Sequence, residues 1–244
     1  MRKSLCVVVV GLVSAVLAGA PDAWANGGTY PSNAPTVAPG ATVSGGNPSV
    51  DDASCYHAGH NGTEYYKVNL GPGDHLIADV TDITGKGTDL CLFAPSVTDY
   101  TIADSDYLAE VETSSTHKVE MTFIAPTAGA YILAPSAFYS GEAWGYSMIV
   151  NVLHASAVSA SGPSSVRVGH KIKVKGQASV AGAVSLELKA GGWQTVATGA
   201  TNSDGTFSLR YNPTHTGNYK FRVLFASSGY LDSRTGKIKV HVHS

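Results

Sequence analysis

"KIKVKGQASVAGAVSLELKAGGWQTVATGATNSDGTFSLRYNPTHTGNYKFRVLF", residues 171–225, decides the fold class. Apolar residues alternate with polar ones in "KIKVKG", "VSLELK", "TFSLRY" and "YKFRVLF", the period of two of a half-buried strand. Glycine-containing breaks such as Gly191-Gly192 and Ser203-Asp204-Gly205 separate the runs, and none of them keeps a helical period. Short strands at this spacing predict an antiparallel β-sandwich. The segment Pro213–Tyr219 ends in Gly-x-Tyr, a turn that feeds a strand whose tyrosine packs inward. Its hydroxyl is expected to bond back to the corner backbone.

Working towards the N-terminus, the same phrase recurs at Pro126–Tyr131. It closes a second set of strand candidates: "EYYKVNL", "HLIADVT", "DLCLF", "KVEMTFI", "AYILAP" and "YSMIVNV". The expected architecture is therefore all-β, with two antiparallel β-sandwich domains, a jelly roll at 51–152 and a second sandwich at 166–244. Residues 26–50 are rich in Pro, Gly, Ser and Thr and are expected to form a flexible lead-in. Residues 153–165, with Gly162-Pro163, are expected to be the interdomain linker.

The chain opens with Arg2 and Lys3, then an apolar run and the sequence Ala23-Trp24-Ala25. This pattern predicts a secretory signal peptide over residues 1–25, with Ala20 as the other cleavage candidate. Its apolar run falls short of the about 20 residues of a membrane span, so a secreted, extracellular or surface-associated product is expected. Cys6 would leave with the signal, which leaves Cys55 and Cys91. In an oxidising compartment two cysteines predict one disulfide. Closing a loop of about 36 residues would stabilise the fold by roughly 3–4 kcal/mol. That pairing takes Cys55 away from His57 and His60, so "SCYHAGHNG" (54–62) lacks the three ligands of a zinc site.

The first half resembles the bacterial pre-peptidase C-terminal (PPC) domain through "EYYKVNLGPGDHLIADV", "GTDLCLF", "APTAGAYILA" and "WGYSMIVNV". The second half resembles bacterial immunoglobulin-like domains through "VRVGHKIKVKGQA", "SDGTFS", the downstream Gly-x-Tyr and "KIKVHV". The first resemblance implies a small non-catalytic sandwich appended to secreted enzymes, often peptidases. The second implies a spacer or adhesion module.

Charge is divided between the halves. Residues 26–152 hold three lysines against fourteen Asp and Glu, a net of −11; residues 153–244 hold eleven Lys and Arg against three acids, a net of +8. Alternation turns Lys220 and Arg222 outward on one strand, and Lys237, Lys239, His241 and His243 outward on another. These residues are the candidate anion-binding face, with Lys171, Lys173 and Lys175 as a separate stripe on the other sheet. The competing structural reading is that such lysines guard exposed strand edges against unwanted pairing. Expected ligands are an anionic cell-wall polymer, a polysaccharide or phospholipid headgroups, another secreted protein, or the acidic first domain itself by interdomain docking. Nucleic acid is not expected, because no aromatic residues interleave with the basic ones.

Two further candidates complete the set. Asp79, Asp82 and Asp89 flank a glycine-containing turn and could offer oxygens to calcium, although no EF-hand spacing is present. Tyr139 and Trp144 could form a platform for sugar rings, although such residues more often begin a final strand and pack into the core. No G-x-S-x-G, H-E-x-x-H or phosphate-loop motif occurs. The sequence therefore predicts a non-enzymatic binding or adhesion accessory without a cofactor, calcium aside. A structural scaffold for another secreted protein is the alternative.

Overall fold

Alternating burial organises the chain into two stacked pairs of sheets. The computed structural model describes residues 27–47, 63–85, 87–98, 107–114, 117–139 and 143–244. The expected signal peptide, Cys55, His57 and His60 lie outside these residues. The first unit contains β1 (Ala41–Asn47), β2 (Tyr66–Leu70), β3 (His75–Asp82), β4 (Thr88–Phe93), β5 (Tyr107–Thr113), β6 (Lys118–Ile124), β7 (Gly129–Ala137) and β8 (Trp144–Leu153). They form two antiparallel sheets in the orders β1-β8-β3-β6 and β2-β7-β4-β5. This is the double Greek-key order of an eight-stranded jelly roll. Leu76, Ala78 and Val80 of β3 and Met148, Val150 and Val152 of β8 meet Val68, Leu90, Leu92 and Leu133 of the facing sheet in one core. Each fully buried Leu or Val contributes roughly 1.5–3 kcal/mol relative to exposure.

The expected flexible lead-in is corrected here. β1 is a full member of the first sheet, paired with β8 from Ala41↔Val150 onward. Residues ahead of it cover the outer face of the second sheet. Gly28 and Tyr65 exchange two backbone hydrogen bonds of 2.9 Å, and Lys67 lies between the Pro35 carbonyl and the Val37 amide, both at 2.8 Å. Ala34 then joins Tyr65, Cys91, Phe93, Ile132 and Ala134 in a second apolar layer. All six residues of β4 are buried in consequence. Pro, Gly and Ser give "NGGTYPSNAPTVAPG" no periodic signal, yet a sheet with apolar side chains on both faces needs a cover on each.

The second unit holds β9 (Val158–Ser161), β10 (Ser165–Arg167), β11 (Ile172–Ala178), β12 (Ala183–Ala190), β13 (Gly192–Ala200), β14 (Thr206–Tyr211), β15 (Gly217–Ala226), β16 (Ser233–Arg234) and β17 (Ile238–His243). One sheet runs β10-β17-β15-β12-β13, with β16 beside β15; the other runs β14-β11-β9. The entering chain is thus shared between sheets, since β9 pairs with β11 while β10 crosses over to run parallel to β17. Ile172, Val174, Leu186, Phe221, Val223, Phe225 and Val240 fill the space between them. The expected linker at 153–165 is also corrected, because β8 runs to Leu153 and both β9 and β10 fall inside that stretch.

Both tyrosine corners form as expected. The Tyr131 hydroxyl donates to the Thr127 carbonyl at 3.0 Å, and the Tyr219 hydroxyl donates to the His215 carbonyl at 2.9 Å. Where the units meet, Asp74 of the first accepts from the Ala155 amide at 2.8 Å and lies 2.9 Å from His154 Nδ1. His154 in turn exchanges backbone hydrogen bonds of 2.9 Å with Gly229 and Leu231 of the second unit. The joint is therefore pinned to both units by hydrogen bonds.

Candidate functional site

Strand register decides which basic residues meet. β15 and β17 pair antiparallel so that Lys220 stands directly opposite Lys239, and Asn218 directly opposite His241. All four side chains are exposed, while their neighbours Phe221, Val240 and Val242 are buried. Ser164, Asn218, Tyr219, Lys220, Lys239 and His241 line a shallow depression of about 370 Å³. His241 Nδ1 lies 3.0 Å from Asn218 Oδ1, which fixes the orientation of the ring. Among the described residues no carboxylate comes within 4 Å of either lysine.

The direct opposition of Lys220 and Lys239 bears on the two readings of the basic residues. At Lys220 and Lys239 themselves β15 and β17 pair only with each other, since β10 reaches β17 at His241–His243 and β12 reaches β15 from Phe221 onward, but edge guarding needs no second cation opposite the first. Two cations directly opposite each other repel and destabilise the sheet. An anion placed between them would remove that repulsion.

Not every expected member of the face belongs to it. Arg222 pairs through Nε with Glu187 Oε2, and its guanidinium lies 4.3 Å from the centre of the Trp193 indole. Its charge is neutralised locally by Glu187. Lys237 is exposed immediately ahead of β17. Asn218 and Ser164, which supply neutral donors to the depression, escaped sequence reading because their place depends on cross-strand register.

The sugar platform is corrected. Trp144 is only 3% exposed, lies in the core and stacks on Tyr146 with ring centres 4.6 Å apart. Tyr139 is 48% exposed and touches Phe138 edge-on. The two rings therefore do not present one flat surface.

The three candidate calcium aspartates are not brought together. Asp79 points outward from β3 and lies 2.8 Å from Lys118 Nζ. Asp82 turns inward and organises the following turn, accepting from Thr84 N, Thr84 Oγ1 and Gly87 N, each at 2.7 Å. Asp89 lies on the other sheet, directly opposite Glu112, with Cys91 opposite Glu110. Burial first, then the charges of Glu110 and Glu112, push the Asp89 carboxyl up to about 7. The possible ligand atoms of Asp89, Cys91 and Glu110 lie within 4.8 Å of one another. That grouping depends on strand pairing and is not visible in the sequence.

One buried polar cluster has a structural explanation. Glu64 Oε2 accepts from the Gly27 amide at 2.8 Å and from the hydroxyls of Tyr66 and Tyr146 at 3.0 and 2.7 Å. Glu64 Oε1 accepts from the Gly46 amide at 3.0 Å. Gly45 is required beside it, because a Cβ there would come within 2.3 Å of Glu64 Oε2. Burial first and Glu64 second raise both tyrosine hydroxyls well above their ordinary range. Such hydroxyls stay protonated, which suits hydrogen-bond donors tying β1 and the lead-in to β2 and β8, and ill suits bases or nucleophiles.

No protein-family model matches the chain, and no curated protein does. Solved structures with a detectable likeness include the pre-peptidase C-terminal domain of a collagenase from Bacillus anthracis. It is 18% identical over 48% of this chain and 92% of that one, with a TM-score of 0.35. Another is PliG of Aeromonas hydrophila, a periplasmic inhibitor of g-type lysozyme. It is 15% identical over 46% of this chain and 84% of that one, with a TM-score of 0.34. Among the described residues no helix is long and apolar enough to cross a membrane.

Proposed function

We propose that the protein is an exported, non-enzymatic binding accessory whose basic second unit holds linear polyanions at the cell exterior. The observation that carries this reading is the Lys220↔Lys239 pair, two unneutralised cations directly opposed on paired strands. Lys237, His241 and the donors Asn218 and Ser164 extend the face. A linear polyanion such as a phosphate- or carboxylate-bearing wall polymer matches a row of cations flanked by neutral donors. In this reading the second unit is an immunoglobulin-like module, supported by the sharing of its first strands between two sheets and by its Tyr219 corner. The first is a PPC-like jelly roll that projects the second from a larger surface or from another secreted protein. Cys91, fully buried in the outer apolar layer, pairs with Cys55. It is then unavailable as a thiolate to a metal beside Asp89 and Glu110.

The test is the affinity of the full secreted chain for long-chain polyphosphate and for polygalacturonate, measured at about 50 and 300 mM salt. Lys220→Ser/Lys239→Ser is expected to weaken binding at low salt by at least about tenfold, and salt should weaken wild-type binding similarly. Equal affinity of wild type and variant for both polymers would refute the site.

A further inference from the structure

We propose that the second unit carries a second, independent anion-binding ladder on its opposite face, built from Lys173, Lys175 and Arg210, and that it therefore bridges two polyanion chains. This rests on the polyanion reading of the Lys220–Lys239 face. β11 and β14 pair so that Lys173 stands directly opposite Arg210 and Lys175 directly opposite Ser208. All four side chains are exposed, while the intervening Ile172, Val174, Phe207 and Leu209 turn into the core. β11 is the middle strand of its sheet, between β14 and β9. β9 reaches β11 only from Lys175 onward, so edge protection does not explain that lysine, while the case for Lys173 and for Arg210 on the edge strand β14 rests on their direct opposition. Among the described residues no carboxylate lies within 4 Å of Lys173, Lys175 or Arg210.

The ladder also leads somewhere. At its end Ser159, Ser161, Lys175, Gln177 and Thr206 line a second open depression of about 390 Å³. Asp204 is the acid near this depression, and its carboxylate is occupied by the Thr206 amide and hydroxyl at 2.9 and 2.7 Å. The result repeats the other face: one directly opposed cation pair, one further basic residue and a rim of neutral donors.

Geometry then makes the unit bivalent. The two ladders sit on the outer faces of two different sheets, about 10 Å apart between backbones with a dry core between them. A straight polymer lying along one face does not reach the other. Each ladder takes its own segment of chain, and a molecule with both ladders cross-links polymer strands.

The experiment uses the full chain with two probes, tripolyphosphate, too short to bridge, and long-chain polyphosphate. Titration calorimetry counts sites with the first, and light scattering reads cross-linking with the second. The expected result is two tripolyphosphate sites in the wild type and one in each of Lys173→Ser/Arg210→Ser and Lys220→Ser/Lys239→Ser. Each variant should still bind long polyphosphate but lose the scattering increase, with circular dichroism unchanged. If Lys173→Ser/Arg210→Ser keeps the wild-type stoichiometry and scattering while the other variant loses binding, the second ladder is wrong and the first stands. If only Lys173→Ser/Arg210→Ser loses binding, the Lys220–Lys239 face and the bridging both fail. Absence of wild-type binding at low salt overturns both.

Discussion

Asp89→Asn should stabilise the first unit at neutral pH and do nothing at acid pH. In the folded protein burial, then Glu110 and Glu112, raise the Asp89 carboxyl from 3.8 to about 7. Below its unfolded value Asp89 is protonated in both states and carries no penalty. As pH rises from there towards 7, the unfolded chain releases its proton and the folded one retains it, so stability declines. Three units at about 1.4 kcal/mol each set an upper bound near 4 kcal/mol, and local relaxation around the buried carboxyl brings this to roughly 2–3. Asparagine keeps the shape and removes the charge. Thermal melts of wild type and variant from pH 4 to 8.5 should coincide at the acid end and separate by about 5–15 °C at the alkaline end. Parallel curves across the range would show that Asp89 ionises normally, and the reasoning about this buried acid would fail.

Other expectations follow from single contacts. Glu64→Ala leaves the Tyr66 and Tyr146 hydroxyls and two backbone amides without their acceptor; a loss of about 2–4 kcal/mol is expected, read by urea unfolding, with early proteolysis ahead of β2. Trp144→Ala should cost about 3–5 kcal/mol through the cavity it leaves, whereas Tyr139→Ala should leave the melting temperature within about a degree. Asp74 responds to pH in the opposite sense to Asp89. Burial would raise its carboxyl, but the Gly71 and Ala155 amides and the His154 ring outweigh that and hold it below the ordinary value. Its contribution to the joint is present above the unfolded carboxylate range and lost as pH falls through the lower folded value. Asp74→Ala should accordingly raise cleavage around His154 at pH 7, with an effect that shrinks as pH falls through the lowered Asp74 value.

Period-two alternation made most of the fold legible, since it reports directly which side chains a sheet buries. It identified β3, β8, β11 and β15 and placed both tyrosine corners. It failed at β1, whose "ATVSGGN" is small because Glu64 and Tyr146 press against Gly45. It failed also at β5, an edge strand with little buried side-chain surface and therefore no apolar face to reveal. The outward lysines could be read from alternation, but Lys220 opposite Lys239 and Lys173 opposite Arg210 are properties of register. Arg222 shows the same limit from the other side, because its pairing with Glu187 on β12 withdraws it from the face that alternation assigned it to. Trp144 could be read as a platform ring or as a core residue opening the last strand, and it proved to be the latter.

The polyanion reading makes the opposed lysines of β15 and β17 a stability cost retained for binding. Melting temperatures of wild type and Lys220→Ser, with and without long-chain polyphosphate at low salt, test it in one measurement. The expected result is a ligand-free variant that melts at or above the wild type and no longer gains stability from polyphosphate. A ligand-free variant that melts lower and still gains the full polyphosphate shift would contradict it.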